Sequence, residues 1–273
     1  MRPILARVHA EVLARFARAD ALVALDFDGT LAPIVDDRDR AAMRPATRDL
    51  LAAVCARYPC AVISGRGRDD VARRLGGAPV QYVVGNHGAE PSAAMVTFEQ
   101  VVESMRARLA TALAGVPTVE IEDKRYSLAI HFRRSRGGVL TQAAGAIAAA
   151  IADLPVRARV VAGKRVVNVL PQDAPHKGVA LASLQSTAGA EVALYVGDDV
   201  TDEDVFELEQ PGRLIGVRVG RRRSSAASFY IRDQGQIDAL LASLVERRAT
   251  AGRRATGGRS AIPAGGAASG ERP

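Results

Sequence analysis

Two strings of acidic residues carry the strongest chemical signal in the sequence. Asp26-Phe27-Asp28-Gly29-Thr30-Leu31 follows the apolar run Ala21–Leu25, and Gly197-Asp198-Asp199-Val200-Thr201-Asp202-Glu203-Asp204 follows the apolar run 192–196. Carboxylates two residues apart in an extended segment point the same way. Packing them together is costly, because like charges repel and one pKa rises. A divalent cation removes much of that cost, and carboxylate oxygens are hard ligands of the kind magnesium takes. Each string alone has a plainer reading: an Asp-Gly turn for the first, helix capping for the second. Paired Asp at the ends of two separate apolar strands is harder to explain that way. In a parallel sheet those ends share one edge, so four carboxylates could converge on one cation. Lys177-Gly178 opens a helical stretch, 179–184. A lysine at a helix start opposes the helix dipole, and a nearby anion would explain its place; a solvated surface lysine is the alternative.

Apolar patterning defines the elements that must hold these residues. Strand-length runs occur at Ala21–Leu25, Cys60–Ile63, Tyr82–Val84, 192–196 and Leu214–Val219. Continuous apolar runs of this kind belong to strands covered on both faces. Ile4, Val8, Val12, Leu13 and Phe16 predict a helix over 4–17, and 46–57 and 69–75 are also helical in spacing. Strands alternating with helices give βαβ units and a mainly parallel sheet, with functional groups at the carboxyl ends of the strands. The middle of the chain differs. Segments 118–122 and 127–132 alternate and predict an antiparallel pair around Asp123-Lys124-Arg125. Segment 140–154 is an Ala-rich helix, and 157–161 with 165–169 predicts a second hairpin through Gly163. The expected fold class is α/β: a parallel-sheet core over 1–88 and 170–248, with a smaller α/β cap domain, 89–169, inserted as β-β-α-β-β. Beyond residue 248 the composition shifts to Gly, Ala, Arg, Ser and Pro, and a disordered basic tail is expected over 249–273.

Composition narrows the function classes. With 273 residues, 48% hydrophobic and 25% charged, the chain can bury a core. No apolar run approaches the ~18 residues that cross a bilayer, and residues 1–20 lack the pattern of a signal peptide. A soluble, cytoplasmic protein without a membrane partner is expected. The formal charge is +7, but aromatics are 4% and Trp is absent, which leaves little to stack on bases. Arg221-Arg222-Arg223 reads as a solvated loop, and no nucleic-acid partner is expected. Cys55 and Cys60 are too few for a disulfide framework and read as small buried hydrophobes.

Taken in order, Asp26-Phe27-Asp28-Gly29-Thr30, Ser64, Lys177 and Gly197-Asp198-Asp199 resemble the four motifs of the haloacid dehalogenase-like phosphohydrolases. More narrowly, Ile63-Ser64-Gly65-Arg66, Gly85-Asn86-His87-Gly88-Ala89-Glu90, Glu122-Asp123-Lys124 and His131-Phe132-Arg133 resemble the trehalose-phosphatase family, and the likeness covers 21–244. The resemblance implies a Rossmann-like core, an α/β cap, a magnesium (Mg2+) cofactor and hydrolysis of trehalose 6-phosphate. It implies Asp26 as nucleophile forming an aspartyl-phosphate, and Asp28 as general acid and base. Ser64 would hydrogen-bond a phosphoryl oxygen and Lys177 would neutralise charge. The metal would sit on Asp26, the Asp28 backbone carbonyl and Asp198, supported by Asp199 and Asp202. Glu122 and Lys124 of the cap would meet sugar hydroxyls, with Ser64, Gly65, His87 and Asn168 also at the substrate. Arg66 fits a helix start and is not counted as catalytic.

One departure stands out. Where the family usually carries Glu in a Glu-x-Arg/Lys-Pro string, this chain has Asn168-Val169-Leu170-Pro171. Asn donates and accepts hydrogen bonds but brings no charge, which touches the sugar rather than the phosphorus. A different sugar or polyol phosphate, a mutase-like phosphate transfer and a non-catalytic sugar-phosphate sensor are the alternatives. A phosphoacceptor receiver domain needs no insert of this size. A monomer is expected.

Overall fold

A parallel sheet brings the two acidic strings side by side. In a computed structural model, residues 1–91, 95–116, 119–132, 138–152, 157–163, 166–208 and 210–257 are described. The sheet contains β1 (Arg2–Pro3), β2 (Ala21–Leu25), β3 (Cys60–Ile63) and β4 (Tyr82–Val84), joined from later in the chain by β9 (Val192–Gly197), β10 (Leu214–Val219) and β11 (Phe229–Ile231). Their order is β1-β11-β10-β9-β2-β3-β4, and every pairing is parallel. β2 and β9 are central neighbours, with Leu25 opposite Val196. The chain therefore leaves both strands at the same height, at Asp26 and at Gly197-Asp198.

Both central strands are buried along their whole length, as their apolar runs require. The period-2 pleat sends Val23, Leu25 and Leu194 to one face, against α1 (Ala10–Phe16), α2 (Pro45–Cys55) and α8 (Ile237–Gly257), through Phe16, Leu51, Val54, Leu240 and Leu244. Leu22, Ala24 and Tyr195 go to the other face, against α6 (Lys177–Thr187) and α7 (Glu203–Phe206), through Leu181 and Phe206. α3 (Arg68–Arg74) follows β3 and adds Val71 to the first face.

The residues between β4 and α6 build a second layer. β5 (Glu120–Asp123), β6 (Leu128–His131), β7 (Ala158–Gly163) and β8 (Val166–Pro171) form an antiparallel sheet in the order β5-β6-β8-β7. α4 (Met95–Leu113) and α5 (Gly138–Ala152) cover one face, with Val102, Met105, Leu109 and Ile147 packed on Leu128, Ile130 and Val169. The α/β core with a smaller inserted α/β cap is thus the architecture of the chain.

Three elements differ from the sequence expectation. The helix expected over 4–17 is confined to Ala10–Phe16, because Arg2 and Pro3 pair at the sheet edge with β11 and the Ile4 N–H donates to Tyr230 O at 3.1 Å. Pro3 cannot donate to a ladder, which suits an edge strand. The cap opens with a helix, α4, that the β-β-α-β-β pattern omits; Phe98, Val102, Met105, Leu109 and Leu113 form its buried stripe. α8 continues past residue 248 to Gly257, into the stretch expected to lack structure. Thr118, Arg133, 153–154, Arg165 and 258–273 lie outside the described residues. Among the described residues, no helix is long and apolar enough to cross a membrane.

Candidate active site

The first residue beyond β2 is Asp26, 4% exposed, and Lys177, the first residue of α6, is 2% exposed beneath it. The Lys177 ammonium donates to Asp26 Oδ1 at 2.8 Å and to Asp202 Oδ1 at 2.8 Å. The lysine at a helix start thus has its anions. Burial works against the ammonium, but the two carboxylates more than offset it and hold the Lys177 pKa above its ordinary value. Burial pushes the Asp26 carboxyl well up, against the opposing pull of Lys177.

Three carboxylates converge. Oxygens of Asp26, Asp198 and Asp202 lie within 4.8 Å of one another. Asp202 is already committed: Oδ1 accepts from the Tyr195 hydroxyl at 2.6 Å as well as from Lys177, and Oδ2 accepts the Asp199 amide at 2.8 Å. Asp199 returns the favour by capping the following turn, its carboxylate accepting the Asp202 amide. Asp28 does not join the cluster. The chain leaves the strand at Leu25, turns at Gly29 with φ +81°, and the Asp28 carboxylate faces Arg66. Of the four carboxylates expected to converge, Asp26 and Asp198 do so and Asp202 joins them, while Asp28 and Asp199 are turned elsewhere.

This donor set fits a hard divalent cation. It is all oxygen, it is buried, and a Cβ at Gly29 would land on the Asp198 carboxylate, so only glycine leaves that carboxylate its place. Gly29→Ala combines that collision with a left-handed backbone costing about 1–2 kcal/mol. The variant is expected to lose at least that much stability in urea unfolding; an unchanged midpoint would contradict the close approach.

A cleft opens over this edge, with the cap as its far wall. Glu122, Lys124, His131 and Asn168 line it from the cap, and Asp26, Asp28, Gly65, His87 and Lys177 line it from the core. Lys124 Nζ donates to Gly65 O across the junction at 2.8 Å. Burial lowers the Lys124 pKa, with Glu122 and Asp28 opposing. Burial works to raise the Glu122 carboxyl, but His131, Lys124 and Arg38 hold it below its ordinary value. Ser64 is buried at the end of β3; its Oγ accepts the Arg66 amide at 3.2 Å, and Gly65 rather than Ser64 faces the cleft.

His87 and Asn168 are 8% and 4% exposed. Both ring nitrogens of His87 and Oδ1 of Asn168 lack a hydrogen-bond partner among the described residues. Burial first, then the nearby Lys124 and Lys177, pushes the His87 pKa well down, so the ring is neutral. Its position depends on a left-handed pair, Asn86 at φ 49° and His87 at φ 58°. Such backbone costs of order 1–3 kcal/mol per residue and persists where surroundings enforce it. Asn86 is held by Ser127 Oγ donating to its Oδ1 at 2.7 Å and by its own amide donating to Glu90 Oε2 at 3.0 Å. A Cβ at Gly65 would strike the His87 ring, which explains the glycine.

Two arginines at the site have partners that the sequence analysis did not assign. Arg66 donates to both oxygens of Asp28, at 2.6 and 2.8 Å, and to Asp70 Oδ2 at 2.9 Å. Arg38 lies in a short 3-10 turn of the core, Arg38–Arg40, and ties it to the cap: its Nη1 pairs with Glu122 Oε2 and lies 2.8 Å from His131 Nε2. His131 Nε2 and Glu122 Oε2 are 2.9 Å apart.

Comparison with known proteins agrees with this geometry. The family model described as trehalose-phosphatase matches residues 24–233. A probable trehalose-phosphate phosphatase of Oryza sativa subsp. japonica is 33% identical over 86% of this chain and 72% of its own length. A trehalose-phosphate phosphatase of Mycobacterium avium is 34% identical over 77% of this chain, which spans only 58% of that relative. The C-terminal domain of trehalose-6-phosphate phosphatase from C. albicans shares the fold, with a TM-score of 0.75 at 21% identity over 90% of this chain and 98% of that one. With its acidic cluster at one sheet edge, its cap and this match over most of its length, the chain belongs to the trehalose-phosphatase family.

Proposed function

We propose that the chain hydrolyses trehalose 6-phosphate to trehalose and inorganic phosphate, with Asp26 as nucleophile. The observation that carries the reading is Lys177, a buried cation bridging Asp26 and Asp202 at the floor of a cleft whose opposite wall is Glu122 and Lys124. A phosphate monoester needs a nucleophile shielded from its charge, and a sugar needs polar groups on the side away from phosphorus.

In this reading Asp26 attacks phosphorus and the sugar oxygen departs, taking a proton from Asp28; an aspartyl-phosphate remains on Asp26. Asp28 then takes a proton from the attacking water, which displaces Asp26 and releases phosphate. Arg66 donates once to each Asp28 oxygen, which leaves a second lone pair on each for the transferred proton. Lys177 neutralises charge on the phosphoryl oxygens, and Ser64, buried beside Gly65, would turn its hydroxyl into the cleft to hydrogen-bond one of them. Asp26, Asp198 and the Asp28 backbone carbonyl would hold Mg2+, with Asp202 and Asp199 orienting that shell. When bound, the ion supplies Lewis-acid screening between phosphate and carboxylate.

On the sugar side, Glu122 and Lys124 take hydroxyls, and the unpartnered nitrogens of His87 with Asn168 Oδ1 offer a neutral donor–acceptor pair beside Gly65. Asn168 also supports a second reading, a different sugar or polyol phosphate, because the pair is uncharged.

The test is phosphate release with Mg2+ from trehalose 6-phosphate, glucose 6-phosphate, other disaccharide phosphates and a small aryl phosphate. Preference for trehalose 6-phosphate, lost with chelator, is expected. Turnover of the aryl phosphate with none of trehalose 6-phosphate would overturn the substrate; no chelator effect would overturn the metal.

A further inference from the structure

Arg218 interrupts the apolar strand Leu214–Val219 and is only 4% exposed. Its backbone sits opposite Gly197 on β9, so its side chain reaches the turn where β9 ends. There Nη2 donates to the carbonyl of Asp198, and Nη1 donates to the carbonyl of Asp199 at 3.1 Å and to Glu203 Oε1 at 2.8 Å. Glu203 is anchored on its far side by the Ser225 hydroxyl at 3.1 Å and the Ala226 amide at 3.0 Å.

Burying a guanidinium is expensive, and a strand that packs between apolar neighbours has no need of one. What the charge does here is specific. Two consecutive carbonyls at the end of β9 accept from one planar fork, which fixes both peptide planes of the Asp198-Asp199 turn. Fixing them fixes where the Asp198 side chain starts, and that side chain belongs to the Asp26–Asp198–Asp202 cluster. Its hydrogen bonds to the turn go to the Asp198 and Asp199 carbonyls, so it acts on the cluster through the backbone. A lysine at this place would bring three donors on one compact charge but not the planar fork that spans two carbonyls and a carboxylate in fixed geometry.

We propose that Arg218 is the positioning residue of the cation site, holding the Asp198-Asp199 turn so that the Asp198 carboxylate is pre-set for a divalent ion. The inference rests on the reading that Asp26 and Asp198 hold Mg2+. Partners that orient ligands without touching the metal typically account for 10–100-fold in metal affinity.

The test is Mg2+ binding to the metal-stripped full chain by titration calorimetry, for wild type, Arg218→Met, Arg218→Lys and Glu203→Gln, with urea unfolding in chelator run beside each. Arg218→Met is expected to weaken Mg2+ binding about 10–100-fold, Arg218→Lys less, and Glu203→Gln, which loosens only the anchor, least. For the variants that turn over substrate, raising Mg2+ is expected to restore kcat while KM for the sugar phosphate stays at the wild-type value. Arg218→Lys and Glu203→Gln keep the inference testable should Arg218→Met not fold. Wild-type Mg2+ affinity in a folded Arg218→Lys chain, or a kcat that added Mg2+ does not restore, would overturn the role. A wild-type chain that binds no Mg2+ would remove the metal reading itself and this role with it.

Discussion

Asp26→Asn is expected to abolish turnover of every phosphomonoester the wild type hydrolyses, by at least about 10⁴-fold, because losing a nucleophile removes a whole chemical route. Asparagine is nearly isosteric and keeps an oxygen that accepts from Lys177. Lys177 also retains Asp202 at 2.8 Å, so neither member of the pair is left stranded. Burial already disfavours the charge on Asp26, and the neutral side chain avoids that cost. The fold should therefore survive, with a urea midpoint close to wild type and no measurable phosphate release. Residual activity within tenfold of wild type would remove Asp26 from the chemistry.

Lys177→Met is expected to strike both stability and rate. The ammonium is the shared partner of two buried carboxylates, one 4% and the other 0% exposed. Removing one member of a buried ionic network leaves uncompensated charge and costs about 3–5 kcal/mol. Asp202 keeps the Tyr195 hydroxyl and the Asp199 amide, whereas Asp26 loses the ammonium that pairs with it at 2.8 Å. Destabilisation should therefore be largest in chelator and shrink when Mg2+ is added, since the ion would restore positive charge beside Asp26. Rate should fall by about 10²–10³-fold, the cost of one charge-stabilising donor. A variant as stable as wild type in chelator would contradict the buried bridge.

The two acidic strings and the strands before them were legible because each strand is a continuous apolar run, a pattern that a sheet buried on both faces imposes. Their convergence followed from parallel topology alone. Asp28 was misplaced by treating the chain beyond Leu25 as extended, when it turns from Phe27 onward, whose carbonyl accepts the Thr30 and Ala32 amides. Local pattern also misled at the N-terminus, where edge pairing with β11 overrides helical spacing near Ile4. In the cap, α4 was overlooked although its stripe from Phe98 to Leu113 has helical spacing.

The partners of Arg38 and Arg66 lay beyond sequence reasoning for a different reason. Arg38 meets Glu122 and His131 across about 84 and 93 positions of chain, and Arg66 meets Asp28 across 38. Such partners are set by tertiary placement and leave no spacing to read. Arg218 did leave a signal: one charge inside an otherwise apolar strand, of the kind rarely buried unless paired. His87 and Asn168 were legible as candidates, but only the structure shows them buried at the cleft, with the His87 ring nitrogens and Asn168 Oδ1 lacking a partner among the described residues.

The proposed mechanism requires Asp26 to accept the phosphoryl group. Rapid acid quench of the wild-type chain during turnover of trehalose 6-phosphate with Mg2+, followed by proteolysis and mass spectrometry, tests that directly. A phosphoryl group on the peptide containing Asp26, lost once the substrate is consumed and missing from Asp26→Asn, is the expected result. Phosphate release with no protein-bound phosphoryl group at any quench time, or the group on another residue, would contradict it.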